Sequence, residues 1–144
     1  MAERFGDGTK WTTGEERAAR LVPPRPPRRM ESTTRSFAVG EGQGYLTVAR
    51  TPDGRPAEVT VLMAKQGSTL AGMMDAVSTT VTRGLRHGVP LEAFVTEYVG
   101  MRFEPAGPTN DPEIRQVGSV LDYVGRRLAL DHLPEGVRPS RDPE

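Results

Sequence analysis

Few residues of this chain have the type and spacing that chemistry requires. The best placed are Lys65-Gln66-Gly67-Ser68-Thr69, which stand just before an apolar stripe of helical period. Unpaired backbone amides at a helix start, two hydroxyls and a neighbouring ammonium are what an anion site uses, so Lys65, Gly67, Ser68 and Thr69 are the candidates for holding a nucleotide or phosphate. The spacing is not that of a P-loop, and Ser68 or Thr69 acting as an ordinary N-cap is the competing reading. A second glycine-rich stretch, Gly40-Glu41-Gly42-Gln43-Gly44, runs into another strand-like segment instead of a helix. It cannot aim a helix dipole at a pyrophosphate, and it reads as a strand connection or bulge.

Arg102-Phe103-Glu104-Pro105-Ala106-Gly107-Pro108 is a charged, aromatic, proline-stiffened loop. It could present Arg102 and Glu104 to a partner, or it could plug the core with Phe103 while the two charges pair locally. His87 and His132 are the only histidines, each expected near a helix C-terminus where a cation meets the negative end of the dipole. Their spacing assembles no metal set, and Asp75, Glu92, Glu97 and Glu104 form no evident acid–base pair. No serine lies in a nucleophile-elbow pattern. There is no cysteine, which excludes disulfides, thiolate metal sites and any thiol or thiyl-radical chemistry carried by this chain itself.

The elements that must position these residues follow from periodicity. Phe37 and Val39 alternate as a strand, and Tyr45 to Arg50 and Ala57 to Met63 form a hairpin around Thr51-Pro52-Asp53-Gly54-Arg55-Pro56, where Pro-Asp-Gly sets the turn. Tyr45, Thr47 and Ala49 share one face of their strand, and Val59, Val61 and Met63 one face of theirs. Leu70, Met73, Met74, Val77, Val81 and Leu85 then recur at helical spacing, with Gly88 as a left-handed stop. Pro90 opens a short helix to about Val99, with Leu91, Phe94, Val95 and Tyr98 on one side. Met101 to Pro108 is expected to be irregular. Asp111 then caps a third helix with Pro112 at its first position and Ile114, Val117, Leu121, Val124 and Leu128 as its stripe down to about Leu130. The expected fold is α+β: a small antiparallel sheet, a β-hairpin plus a third strand, with three helices packed on one face.

The 144 residues suit one modest core, and 16 Gly with 13 Pro mark loose ends more than a wholly low-complexity chain. Net charge is zero, yet residues 1–36 hold eight Lys or Arg against five Asp or Glu, so a basic leader precedes a mildly acidic body. That leader, with Pro23-Pro24-Arg25-Pro26-Pro27-Arg28-Arg29, lacks apolar periodicity and is expected to be a disordered tether over 1–35. The ordered domain is expected over 36–134 and a flexible tail over 135–144. No apolar run is long enough to span a bilayer and the N-terminus lacks a secretory signal, so a cytoplasmic setting without membrane contact is expected. Arginines without interleaved aromatics give no sign of specific nucleic-acid binding.

Several long words occur in order: Ser36-Phe37, Gly44-Tyr45-Leu46-Thr47, Lys65 to Gly72, Met74-Asp75-Ala76, Gly88 to Glu92, Met101 to Gly107, Asp122-Tyr123 and Arg126 to Asp131. Over about Ser36 to Pro134 the chain resembles the C-terminal region of adenosylcobalamin-dependent, class II ribonucleoside-diphosphate reductases, a module similar to the small domain named for its Thr-Ser-Cys-Pro-Asp motif. In that family the catalytic barrel lies upstream, adenosylcobalamin generates a thiyl radical, and a cysteine pair supplies electrons. None of those thiols can be mapped here, so the resemblance implies a stand-alone accessory module linked to deoxyribonucleotide synthesis, binding no cofactor itself and inactive alone. Its implied partners are a ribonucleotide reductase catalytic chain or a second copy, with a nucleotide at Lys65–Thr69 as the alternative role.

Overall fold

Alternation of apolar and polar residues drives three nine-residue strands into register in the computed structural model, which describes residues 25–64 and 67–139. Strand β1 (Glu31–Val39) turns at Gly40-Glu41 into β2 (Gly42–Arg50), which pairs antiparallel with β3 (Pro56–Ala64). The Thr51–Arg55 turn closes as its sequence predicts, with Gly54 at φ 87° and its amide on the Thr51 carbonyl. Phe37, Val39, Leu46, Val48, Val59, Val61 and Met63 fall on one buried face. Tyr45 and Leu62, opposite each other in register, are exposed on the other.

Helix α1 (Ser68–Arg86) covers the free edge of β3. The Val61 amide donates to Ser78 Oγ at 2.9 Å, and Thr82 Oγ1 both accepts from the Val59 amide and donates to its carbonyl. Two helix hydroxyls thereby occupy backbone groups that would otherwise invite another strand. Met74 and Val81 are buried as the stripe requires, whereas Met73 points to solvent at 58% exposure. Gly88 adopts φ 87°, the expected left-handed stop. Helix α2 (Leu91–Tyr98) follows Pro90 and buries Leu91 and Val95.

The third helix begins later than its stripe suggests. Residues 107–117 form a hairpin of β4 (Gly107–Asp111) and β5 (Ile114–Val117), which makes the sheet five-stranded in the order β3-β2-β1-β4-β5, larger than a hairpin plus one strand. Asp111-Pro112 serves as a turn: Asp111 Oδ1 accepts from the Glu113 amide at 3.0 Å, and Thr109 Oγ1 accepts from the Asp111 amide. An Asx turn and a helix start use the same residue types, and pairing of Val39 with Thr109 decides for the turn. Gly107 and Pro108, expected in an irregular loop, thus belong to a strand. Helix α3 (Val120–His132) is capped by Ser119, whose Oγ accepts from the Asp122 amide at 3.0 Å. It is buried on every side from Val120 to Ala129, with Tyr123 against Phe37 at 4.8 Å between ring centroids.

Order also extends past both expected limits. β1 starts at Glu31, so residues 31–35 are strand where leader was expected. After Pro134 a short 3-10 turn (Glu135–Val137) leads to Arg138, which donates to the carbonyls of Leu130 and Leu133. The proline-rich run up to residue 24, and residues 140–144 of the expected tail, lie outside the described residues. No helix among the described residues is long and apolar enough to cross a membrane.

Candidate functional site

Two motifs that stand 60 residues apart in sequence meet at one end of the sheet. Pro105 rests on Gly42, where a Cβ would lie 2.9 Å from the ring Cγ, and at Gly40 a Cβ would lie 2.3 Å from the Ala106 carbonyl oxygen. The Gly40 amide donates to the Pro108 carbonyl at 2.9 Å. Gly40, at φ 55°, and Gly42 therefore form the seat of the Arg102–Pro108 loop, which bears out their reading as a strand connection. Phe103 is half-buried against the core, with its amide on the Gly118 carbonyl. Arg102 and Glu104 are exposed on the rim, and Glu104 Oε2 accepts from the Ala106 amide at 3.2 Å.

The start of α1 lies at the same end, because Ala64 pairs with Gln43 and Met63 Cε closes on Gly42. Gly67, not Ser68 or Thr69, is the N-cap, and no side chain caps the helix. Ser68 and Thr69 are exposed in the first turn, and Lys65 lies outside the described residues.

Sequence reading missed a buried charged network that ties α3 to the β4–β5 turn. Asp111 Oδ2 accepts from Tyr123 Oη at 2.9 Å and from Arg127 Nη1 at 3.1 Å. Arg127 also reaches Glu113 and clasps Asp131 with Nε and Nη2. Burial disfavours the charged Asp111 carboxylate, yet the Glu113 amide, Tyr123 hydroxyl and Arg127 outweigh it and hold its pKa below the ordinary range. Burial, and then the bond to Asp111, push the Tyr123 phenol up. Arg127 is raised despite burial by the bonds to Asp131 and Asp111. One turn earlier, Asp122 accepts from the Gly100 and Gly118 amides and from Arg126 Nε, each within 2.9 Å. The signal was present as charges at i, i+4 in an apolar helix, but their partners stand on other elements.

His132 is half-buried at the end of α3; burial lowers its pKa, Asp131 opposes, and Arg50 and Arg127 reinforce the lowering. Among the described residues no group of three or more His, Cys, Asp or Glu is arranged to hold a metal ion.

Comparison with known proteins follows the same line. A family model described as TSCPD domain matches residues 16–132. The chain is 53% identical over 121 residues to a vitamin B12-dependent ribonucleotide reductase of Streptomyces avermitilis, covering 84% of this chain and 13% of that protein. It is 47% identical over 140 residues to one of Streptomyces clavuligerus, covering 97% of this chain and 15% of that one. Against one of Rhodopirellula baltica it is 42% identical over 106 residues, or 74% and 10%. The chain thus spans a small fraction of each relative. No solved structure matches it significantly.

Proposed function

Since the chain belongs to the TSCPD domain family, we propose that it acts as an accessory, interaction module in ribonucleotide reduction and performs no radical chemistry itself. The observation that carries this reading is the absence of any cysteine from the sequence, because a thiyl radical and a reducing dithiol both need thiols. The fate of the charged words that mark the resemblance supports it. Asp122, Tyr123, Arg126, Arg127 and Asp131 are spent on bonds within the fold. Such side chains hold an interaction surface in shape more readily than they attack a substrate.

The described residues do not fit a corrinoid. The clefts that His132 lines, about 650 and 400 Å³, are open to solvent and each carries two or more arginines, so neither is an enclosed chamber for a macrocycle. The proposed partner is a reductase catalytic chain, or a second copy of this chain, met through the Arg102 and Glu104 rim in a cytoplasmic setting. Co-sedimentation with a vitamin B12-dependent reductase lacking the corresponding region, with deoxyribonucleotide formation followed in parallel, tests the reading. A complex, and no product from this chain alone with adenosylcobalamin and a dithiol, is the expected result; turnover by the purified chain would overturn it.

One observation favours the nucleotide alternative at Gly67, Ser68 and Thr69. The first amides of α1 have no side-chain cap, and beyond Gly67 a Cβ would meet open space. A melting-temperature rise with a nucleoside di- or triphosphate that Lys65→Ala abolishes would support it.

A further inference from the structure

At the opposite end of the sheet from Gly42 and Gly67, the inner face runs past the end of the core and leaves a cleft of about 400 Å³. Nine-residue strands put roughly 27 Å between the two ends. Buried Leu46 and Val48 floor the cleft, Arg35 and Thr33 of β1 and Arg50 of β2 line it with Gly54, and Asp131 and His132 of α3 close it. We propose that this cleft binds a small phosphorylated anion with two or more phosphoryl groups. The inference stands apart from the docking reading, since it uses none of the same residues.

Charge is the first argument. No described residue forms a hydrogen bond or ion pair with the exposed Arg35 guanidinium, and Arg50 donates only to Thr33 Oγ1, at 2.9 Å. Two of the three nearby carboxylates are committed: Asp131 takes both its oxygens to Arg127 at 2.6 and 3.2 Å, and Asp53 is held by Thr51 and Arg55. Glu31 stands opposite Arg50 in register and makes no ion pair with it. Neither guanidinium is thus bonded to a carboxylate, and the cleft carries two arginines against the Arg127-bound Asp131 in its wall and Glu31 at its margin.

Geometry selects the anion. Donors arrive from three elements, which suits the tetrahedral oxygens of a phosphoryl group better than a planar carboxylate. The backbones of Arg35 and Arg50 lie in inner-face rows four residues apart, and the Arg50 guanidinium reaches back to Thr33 in the row between, which brings it toward Arg35. Two guanidinium groups and an imidazole in a cleft of about 400 Å³ give donors and room for more than one phosphoryl group. His132, kept neutral by burial, Arg50 and Arg127 against Asp131, can donate one N–H without adding fixed charge, and an anion beside it would favour its protonation.

The test uses the full chain and follows the two histidine ring signals by NMR while pyrophosphate or adenosine triphosphate is added. His132 should move and titrate at higher pH with either ligand, and His87 should not move. Arg35→Gln should weaken binding about tenfold or more, as expected for losing a charge-assisted bond, and Arg35→Lys should restore part of it. Similar affinities for the two ligands identify a site for the phosphate chain alone; tighter binding of the nucleotide adds the Leu46–Val48 floor as a seat for its base. A motionless His132 at millimolar ligand, or binding lost in Lys65→Ala and kept in folded Arg35→Gln, would overturn the proposal.

Discussion

Pro105 lies on Gly42 so closely that a side chain at position 42 would begin 2.9 Å from the ring. The contact joins the β1–β2 turn to the loop that carries Arg102 and Glu104, so the glycines set where those charges stand. Gly40→Ala should destabilise by about 2 kcal/mol or more, because its φ is left-handed and its Cβ meets backbone. Gly42→Ala should cost about 1–3 kcal/mol by overpacking. Gly72→Ala, on an open face of α1, should instead add about 0.5–1 kcal/mol. Urea unfolding midpoints for the three variants check the ordering.

Arg127 is the centre of the buried network, and its removal leaves the Asp111 carboxylate at 6% exposure without a cation, held only by the Tyr123 hydroxyl and the Glu113 amide. Arg127→Ala should therefore cost about 3–5 kcal/mol. Tyr123→Phe removes one bond and keeps the ring on Phe37, so it should cost only about 1–2 kcal/mol. Chemical denaturation separates the two, and equal losses would contradict the assigned hierarchy.

Acid should weaken the fold in two stages. His132 has a folded pKa below its ordinary 6.5, so the unfolded chain takes up a proton first and stability declines as pH falls from 6.5 toward the folded value. Asp111 is depressed below 3.8, so its contribution is complete above that pH and is lost as pH falls through its lower folded value. Thermal melts from pH 7 to 2 should lose the upper stage in His132→Gln and the lower stage in Asp111→Asn.

The Arg102–Pro108 loop should divide its work between folding and docking. Phe103→Ala should cost about 2–3 kcal/mol, less than full burial would give, since the ring is only half-covered. Arg102→Ala and Glu104→Ala, both exposed, should change stability by no more than about 1 kcal/mol. Their effect should appear in association, where truncating a charge desolvated at an interface costs about 2 kcal/mol or more. Sedimentation velocity with a reductase partner, beside unfolding curves, measures both quantities. Large folding losses with unchanged association would make the loop an internal brace.

Local chemistry was enough to determine the β2–β3 hairpin, α1 and α2. Pro-Asp-Gly admits a positive φ at Gly54, strict alternation puts Val59, Val61 and Met63 on one face, and Pro90 and Gly88 start and stop helices whatever packs on them. The lack of thiols was likewise complete in the sequence. Residues 111–117 were not decidable locally: Asp111-Pro112 begins a helix or a turn equally well, and Ile114 and Val117 fit a helical stripe as well as the two ends of a short strand. Edge pairing to β1, with the closure of Asp111, Tyr123 and Arg127 across 16 residues, decided for the hairpin. The same holds for the sites. Gly42 under Pro105, and Arg35 beside Arg50 and His132, are juxtapositions of distant segments, and only the packing of strand, loop and helix brings them together.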